Sequence, residues 1–266
     1  MRHARNLFGG YMPYVNNSDV RIHYHVEGAG PDLILQHGLT NSMENWYAYG
    51  FVEELKKNYR LILVDARGHG KSDKPHDPSL YDLRLRVGDI IAVMDALGVD
   101  KAHYMGYSMG GRIGFGLIMY ELDRFNSLII GGMSADTPNT DIPPEERIKT
   151  LKLGMESYVA DAEEKEGPIE TLRRERLLDN DAEALIAATI APRGTDGVEQ
   201  LLHDVDIPCL LYCGDQDGYF EAAQKSAGLI PTAIFVDIPG LNHGQVARAG
   251  EEVLPHVTRF LENVIP

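Results

Sequence analysis

Short apolar blocks of strand length recur along this chain and alternate with segments whose apolar residues repeat at helical spacing. That alternation constrains the fold more than any other feature. The strand-like blocks are Leu33-Ile34-Leu35, Arg60 to Asp65, Lys101 to Tyr107, Ser127 to Ile130, Cys209 to Cys213 and Ala233 to Ile238. Runs this short and this apolar fit strands covered on both faces. Between them, Phe51, Val52 and Leu55 predict a helix. So do Leu83, Val87, Ile90, Ile91, Met94 and Leu97, closed by Gly98, and the stretch from Gly111 to Tyr120. Val246 to Leu261 predicts a closing amphipathic helix. Val20, Ile22, Tyr24 and Val26 alternate with polar residues, which predicts a half-buried strand at an antiparallel edge. Together these segments predict an α/β fold with a mostly parallel, doubly wound central sheet. The rhythm breaks from Ser134 to Asp206, where only helical spacing is found, as in Ile148, Leu151, Met155 and Tyr158. The predicted organisation is a core of residues 1–133 and 207–266 with a helical insertion at 134–206.

A chain of 266 residues is long enough for one large α/β domain. Its formal charge of −15, with only short basic runs such as Arg173-Arg174, argues against nucleic acid and anionic membranes as partners. Met1-Arg2-His3-Ala4-Arg5 is basic, but no apolar segment follows it. The reading is therefore no signal peptide, no transmembrane span and a cytoplasmic location. The two cysteines, Cys209 and Cys213, lie on one predicted strand. Four strand steps separate their Cα atoms by about 13 Å, whereas a disulfide needs less than about 7 Å, so reduced core thiols are expected. No His/Cys cluster has zinc spacing. His23 and His25 are read as strand-surface residues rather than a metal pair.

Gly106-Tyr107-Ser108-Met109-Gly110-Gly111 fits G-x-S-x-G, with a predicted strand before it and a predicted helix after it. A serine at such a turn is lifted out of the sheet, and the flanking glycines are needed where neighbouring backbone leaves no room for a Cβ. A hydroxyl becomes a useful nucleophile when a base takes its proton, and the base needs a buried carboxylate to fix its tautomer. Gly214-Asp215-Gln216-Asp217 and Leu241-Asn242-His243-Gly244 supply both, in the order serine, acid, histidine, each after a predicted strand. Open α/β sheets place their sites at those carboxyl ends. The N–H of Met109, next after the serine, is a candidate oxyanion donor.

With these motifs, His37-Gly38, and Asp65-Ala66-Arg67-Gly68-His69-Gly70-Lys71-Ser72, the chain resembles the α/β-hydrolase superfamily, over residues 37 to 244. The resemblance implies a helical cap between the sixth and seventh strands, in the place of the strandless stretch. It implies a triad of Ser108, His243 and Asp217, with Asp215 the local rival and Asp136 the next acid to consider. It also assigns a second oxyanion donor to the N–H of Leu39. His37, Asp65, Arg67 and His69 are read as loop bracing, with Arg67 paired to Asp65.

Trp46 either lines the pocket or packs a helix; Met133, Met155, Tyr158, Tyr219 and Phe220 fall where cap or site loops are expected. The acidic run from Asp161 to Glu166 is read as a solvated face. The function expected is hydrolysis of small or medium carboxylic esters or lactones through an acyl-enzyme, with no cofactor and no metal. The same residues also resemble C–C bond hydrolases, enol-lactonases and cofactor-free haloperoxidases. A non-catalytic ligand-binding member is the alternative from another class. A serine nucleophile disfavours the aspartate-nucleophile dehalogenases and epoxide hydrolases of the superfamily.

Overall fold

The computed structural model describes residues 14–136, 144–192, 194 and 197–264. Its strands are β1 (Tyr14–Asn17), β2 (Val20–Gly28), β3 (Asp32–Gln36), β4 (Arg60–Val64), β5 (Ala102–Tyr107), β6 (Phe125–Gly131), β7 (Cys209–Gly214) and β8 (Ala233–Ile238). They form one sheet in the order β1-β2-β4-β3-β5-β6-β7-β8. β2 runs antiparallel to β1 and β4, and every other pair is parallel. The strand with alternating burial is therefore not the edge. β1 lies outside it, and its YVNN sequence offers no apolar periodicity by which to find it.

The two-residue period of the strands sorts the core into two layers. Ile34, Ile62 and Tyr104 point to the face covered by α3 (Leu83–Leu97) and α4 (Met109–Tyr120). Leu33, Leu35, Leu61, Leu63 and Met105 point to the other face. That face is covered by α1 (Glu44–Ala48), α2 (Phe51–Leu55) and a late helix that carries Val253, Val257, Phe260 and Leu261. Every residue of β5 is buried, as expected of a strand covered on both sides. Gly98 ends α3 in the left-handed conformation, φ 68°, as its place in the sequence predicts. Both cysteines are free and buried, and burial pushes the Cys209 thiol up to about 12.

Between β6 and β7 the described residues contain helices and no strand. These are α5 (Pro144–Leu151), α6 (Met155–Glu166), α7 (Thr171–Leu178), α8 (Ala182–Ile190) and α9 (Val198–Leu201). α10 (Phe220–Leu229) follows β7. The expected single closing helix is two: α11 (His243–Val246) and α12 (Gly250–Val264). α12 begins where residue 250 passes against the Tyr49 carbonyl, too close for any Cβ. Among the described residues no helix is long and apolar enough to cross a membrane; residues 1–5 lie outside them.

Two expected side-chain environments are corrected. His23 is not at the surface: it is buried, with Nδ1 2.9 Å from Asp65 Oδ2, while His25 is exposed. Arg67 does not pair with Asp65. It reaches Asp89 on α3 through a two-pronged contact of 2.7 and 2.6 Å. Asp65 instead receives the N–H groups of Met43 and Lys71 and the His23 ring. Arg67 and Asp89 are both buried, so removing one leaves the other charged and uncompensated. Asp89→Ala is accordingly expected to lower the unfolding free energy by about 3–5 kcal/mol, read as a fall in the urea midpoint. A loss below about 1 kcal/mol, the range of an exposed pair, would contradict this.

Candidate active site

Ser108 sits between β5 and α4 with φ 55° and ψ −110°, a conformation that residues with a Cβ rarely adopt. The turn is fixed by close backbone contacts. A side chain at Gly106 would meet the Gly110 carbonyl, and one at Gly110 would meet the Gln36 carbonyl. The Ser108 N–H donates to the Gly131 carbonyl at 2.8 Å, which ties the turn to the next strand. The N-terminus of α4 begins at Met109, immediately beside the hydroxyl.

His243 follows β8 and opens α11, whose start is held by a reciprocal cap between Asn242 and Gln245. Tyr107 O–H donates to the His243 carbonyl at 2.7 Å. The imidazole lies with Nε2 2.9 Å from Ser108 Oγ and Nδ1 2.7 Å from Asp217 Oδ2. Asp217 follows β7 and is buried. Burial alone would raise its carboxyl, but the hydrogen bond and charge of His243, the Tyr219 N–H and the Cys213 thiol bring it below its ordinary value. Asp215 is turned away, accepting the Gly240 N–H at 2.8 Å in an exposed turn. Asp136 lies beside Lys225, 3.7 Å from its amine.

The three side chains border a cavity of about 300 Å³. Leu39 and Met109 border it beside Ser108. His37 holds the Leu39 loop: its Nε2 accepts the Ala66 N–H at 3.0 Å, so Nδ1 carries the proton and donates to the Gly38 carbonyl at 2.8 Å. Burial lowers the His37 pKa, in keeping with a neutral ring, and drives His69 down to about 3.

Tyr158 and Tyr219 line the cavity, and Trp46, Met133 and Met155 do not. Trp46 is buried edge-on against Phe51, with ring centroids 4.9 Å apart. Met133 packs beneath Gly111, and Met155 packs with Leu151 and Leu185 among the inserted helices. Phe220 packs on Phe235. Glu166, at the exposed end of the acidic run, also borders the cavity and meets both Arg173 and Arg248. Tyr107 and Cys213, which support the histidine and the acid, had no linear signal beyond their place on strands. Nor did the arginines of the cavity wall, which come from five separate elements and loops.

Chemically, a neutral imidazole in this position can take the Ser108 proton while Asp217 stabilises the resulting imidazolium. Among known proteins, the chain is 27% identical over 250 residues to a Bacillus subtilis (strain 168) protein named as a 2-succinyl-6-hydroxy-2,4-cyclohexadiene-1-carboxylate synthase, covering 84% of this chain and 88% of that one. It is 28% identical over 238 residues to the 2-hydroxy-6-oxononadienedioate/2-hydroxy-6-oxononatrienedioate hydrolase of Burkholderia vietnamiensis (strain G4 / LMG 22486), covering 82% of each. It superposes with a TM-score of 0.73 and 25% identity on an N-acyl homoserine lactone degrading enzyme, over 93% of this chain and 99% of that one. The model of the alpha/beta hydrolase fold matches residues 31–167, from the first parallel strand through the serine turn and into the inserted helices. On that match and the sheet that carries it, the chain belongs to the α/β-hydrolase fold family.

Proposed function

We propose that the protein is a serine hydrolase that cleaves small or medium carboxylic esters or lactones. The observation that carries this reading is the unbroken chain of contacts from Asp217 through His243 to Ser108, 2.7 and 2.9 Å long, opening on one cavity. His243 takes the hydroxyl proton as Ser108 Oγ attacks the carbonyl. The N–H groups of Leu39 and Met109 receive the oxyanion. As the tetrahedral intermediate collapses, the imidazolium gives its proton to the leaving alcohol. Water then attacks the acyl-enzyme by the same route, releasing the acid and restoring Ser108. The structural relative that degrades N-acyl homoserine lactone is consistent with this reading. A second reading, hydrolysis of a C–C bond beside a carbonyl, is favoured by the name of the Burkholderia relative.

Turnover on a panel of 4-nitrophenyl esters, a lactone and a vinylogous 1,5-diketone separates the two. Ester or lactone turnover with an acyl adduct in the acid-quenched mass spectrum is expected. Cleavage of the diketone alone would overturn the ester assignment.

Residues 134–206 are proposed as a cap that covers the Ser108 mouth, because α5, α6, α7 and α8 all contribute to the cavity wall. Tyr158 is on that wall and Met155 is inside the cap's own small core. Tyr158→Ala is therefore expected to change relative rates across ester chain lengths by about tenfold, a range reached by one lost pocket contact. Met155→Ala should leave the relative rates in place and lower thermal stability instead. Parallel chain-length profiles for wild type and Tyr158→Ala would remove Tyr158 from substrate selection.

A further inference from the structure

Among the described residues, six arginines line the cavity that opens on Ser108: Arg86, Arg112, Arg147, Arg173, Arg176 and Arg248. Among the same residues no lysine lines it, and its carboxylates are Asp217 and Glu166. In a chain of formal charge −15, this concentrates positive charge where the protein as a whole is acidic. Neither carboxylate is available to most of these cations. Asp217 is engaged with His243, and Glu166 Oε2 is shared between Arg173 at 3.0 Å and Arg248 at 3.2 Å.

Arg86 is buried and donates to two neutral carbonyls, Tyr81 at 2.8 Å and Ala188 at 3.2 Å. Burial, and after it the neighbouring charge of Arg112, lowers its pKa to about 10. Arg147 and Arg176 have no carboxylate within ion-pair distance among the described residues. Arg176 Nε is buried without a hydrogen-bond partner, and its guanidinium lies 5.9 Å from the centre of the Tyr49 ring. Buried donors are almost always satisfied, and a charged one left unsatisfied is destabilising. A ligand that satisfies it recovers that loss on binding.

We propose that the substrate is an anion, a small ester or lactone whose acyl or alcohol part carries a free carboxylate, and that Arg147 and Arg176 are the residues that receive this carboxylate. The rigid planar fork of arginine matches a carboxylate through two parallel hydrogen bonds, which a lysine amine cannot make. The two come from different helices, α5 and α7, and both line the cavity that opens on Ser108. Glu166 sits between Arg173 and Arg248 where the second cavity begins, and its single negative charge offsets only one of their two positive charges. The reaction at Ser108 in this proposal rests on the hydrolase reading above; the binding of the anion does not.

The test compares two esters of equal acyl length, mono-4-nitrophenyl glutarate and 4-nitrophenyl pentanoate, and adds calorimetry with free glutarate. The glutarate ester is expected to show a kcat/KM at least about tenfold higher at low salt, a ratio that shrinks as NaCl is raised. Arg147→Gln and Arg176→Gln should each lower that ratio about tenfold or more and weaken glutarate binding in parallel. Two variants on separate helices are used so that one that fails to fold leaves the other to decide. If neutral esters are turned over, and glutarate neither binds nor is preferred as an ester, the anion proposal is overturned and the hydrolase reading stands. If no ester is turned over, yet glutarate binds and either variant abolishes the binding, the hydrolase reading fails and the anion site is upheld. Inorganic phosphate binding more tightly than glutarate would overturn the assignment to a carboxylate.

Discussion

Ser108→Ala is expected to lower kcat on any ester substrate by about 10⁴-fold or more, with no change in the urea midpoint. The size follows from what is lost. The variant keeps the cavity and the N–H groups of Leu39 and Met109, so substrate still binds and a developing oxyanion is still met. It loses the oxygen that forms the covalent bond and the partner for the His243 Nε2 contact of 2.9 Å. Water would then attack without being positioned. Stability should be unaffected for a local reason: the positive φ of 55° is already borne by a residue with a Cβ, and alanine adds none. The Ser108 N–H to Gly131 bond is made by backbone and is retained. A variant with kcat within tenfold of wild type would show that Ser108 is not the nucleophile.

Asp217→Asn is expected to lower kcat by at least about a hundredfold, against an effect near 10⁴ for the equivalent change in a serine protease. The amide preserves volume, but with its N–H₂ donating to His243 Nδ1 the ring proton moves to Nε2 and no lone pair faces Ser108. Asp215→Asn should lose far less, because Asp215 accepts one backbone N–H in an exposed turn and touches neither His243 nor Ser108. Kinetics of both variants on one ester decide between them. A reversed order would make Asp215 the acid despite its geometry, and no effect from either would pass the role to Asp136. The same carboxylate sets a pH signature. Its folded pKa lies below the ordinary value, so the stability it contributes is present above about pH 4 and is lost as pH falls through the lowered value. Wild type and Asp217→Asn should therefore differ in thermal stability near neutrality and converge in acid.

What the sequence made legible was what local backbone rules dictate. The serine turn can be read from residues 106–111 because glycines there answer to contacts with the Gln36 and Gly110 carbonyls, whatever the rest of the chain does. The six strands β3 to β8 could be located from apolar blocks, though not their order in the sheet, and Gly98 marked a helix end. Partners set by tertiary packing were not legible. Arg67 was matched to Asp65, two residues away, whereas its partner Asp89 is on a helix across the layer. Trp46, Met133 and Met155 are apolar residues near the site in sequence, but apolarity does not say which side of a helix or loop meets a cavity and which meets the core. The cavity arginines were invisible for a related reason. They are spread from residue 86 to residue 248, and only the fold brings them to one wall.

Reaction of the intact protein with a fluorophosphonate, followed by digestion and tandem mass spectrometry, addresses the nucleophile itself without assuming any substrate. A single adduct on Ser108, absent from the Ser108→Ala protein and prevented by prior denaturation, is the expected result. An adduct on another residue, or no adduct from a preparation that hydrolyses esters, would contradict a serine hydrolase built on Ser108, His243 and Asp217.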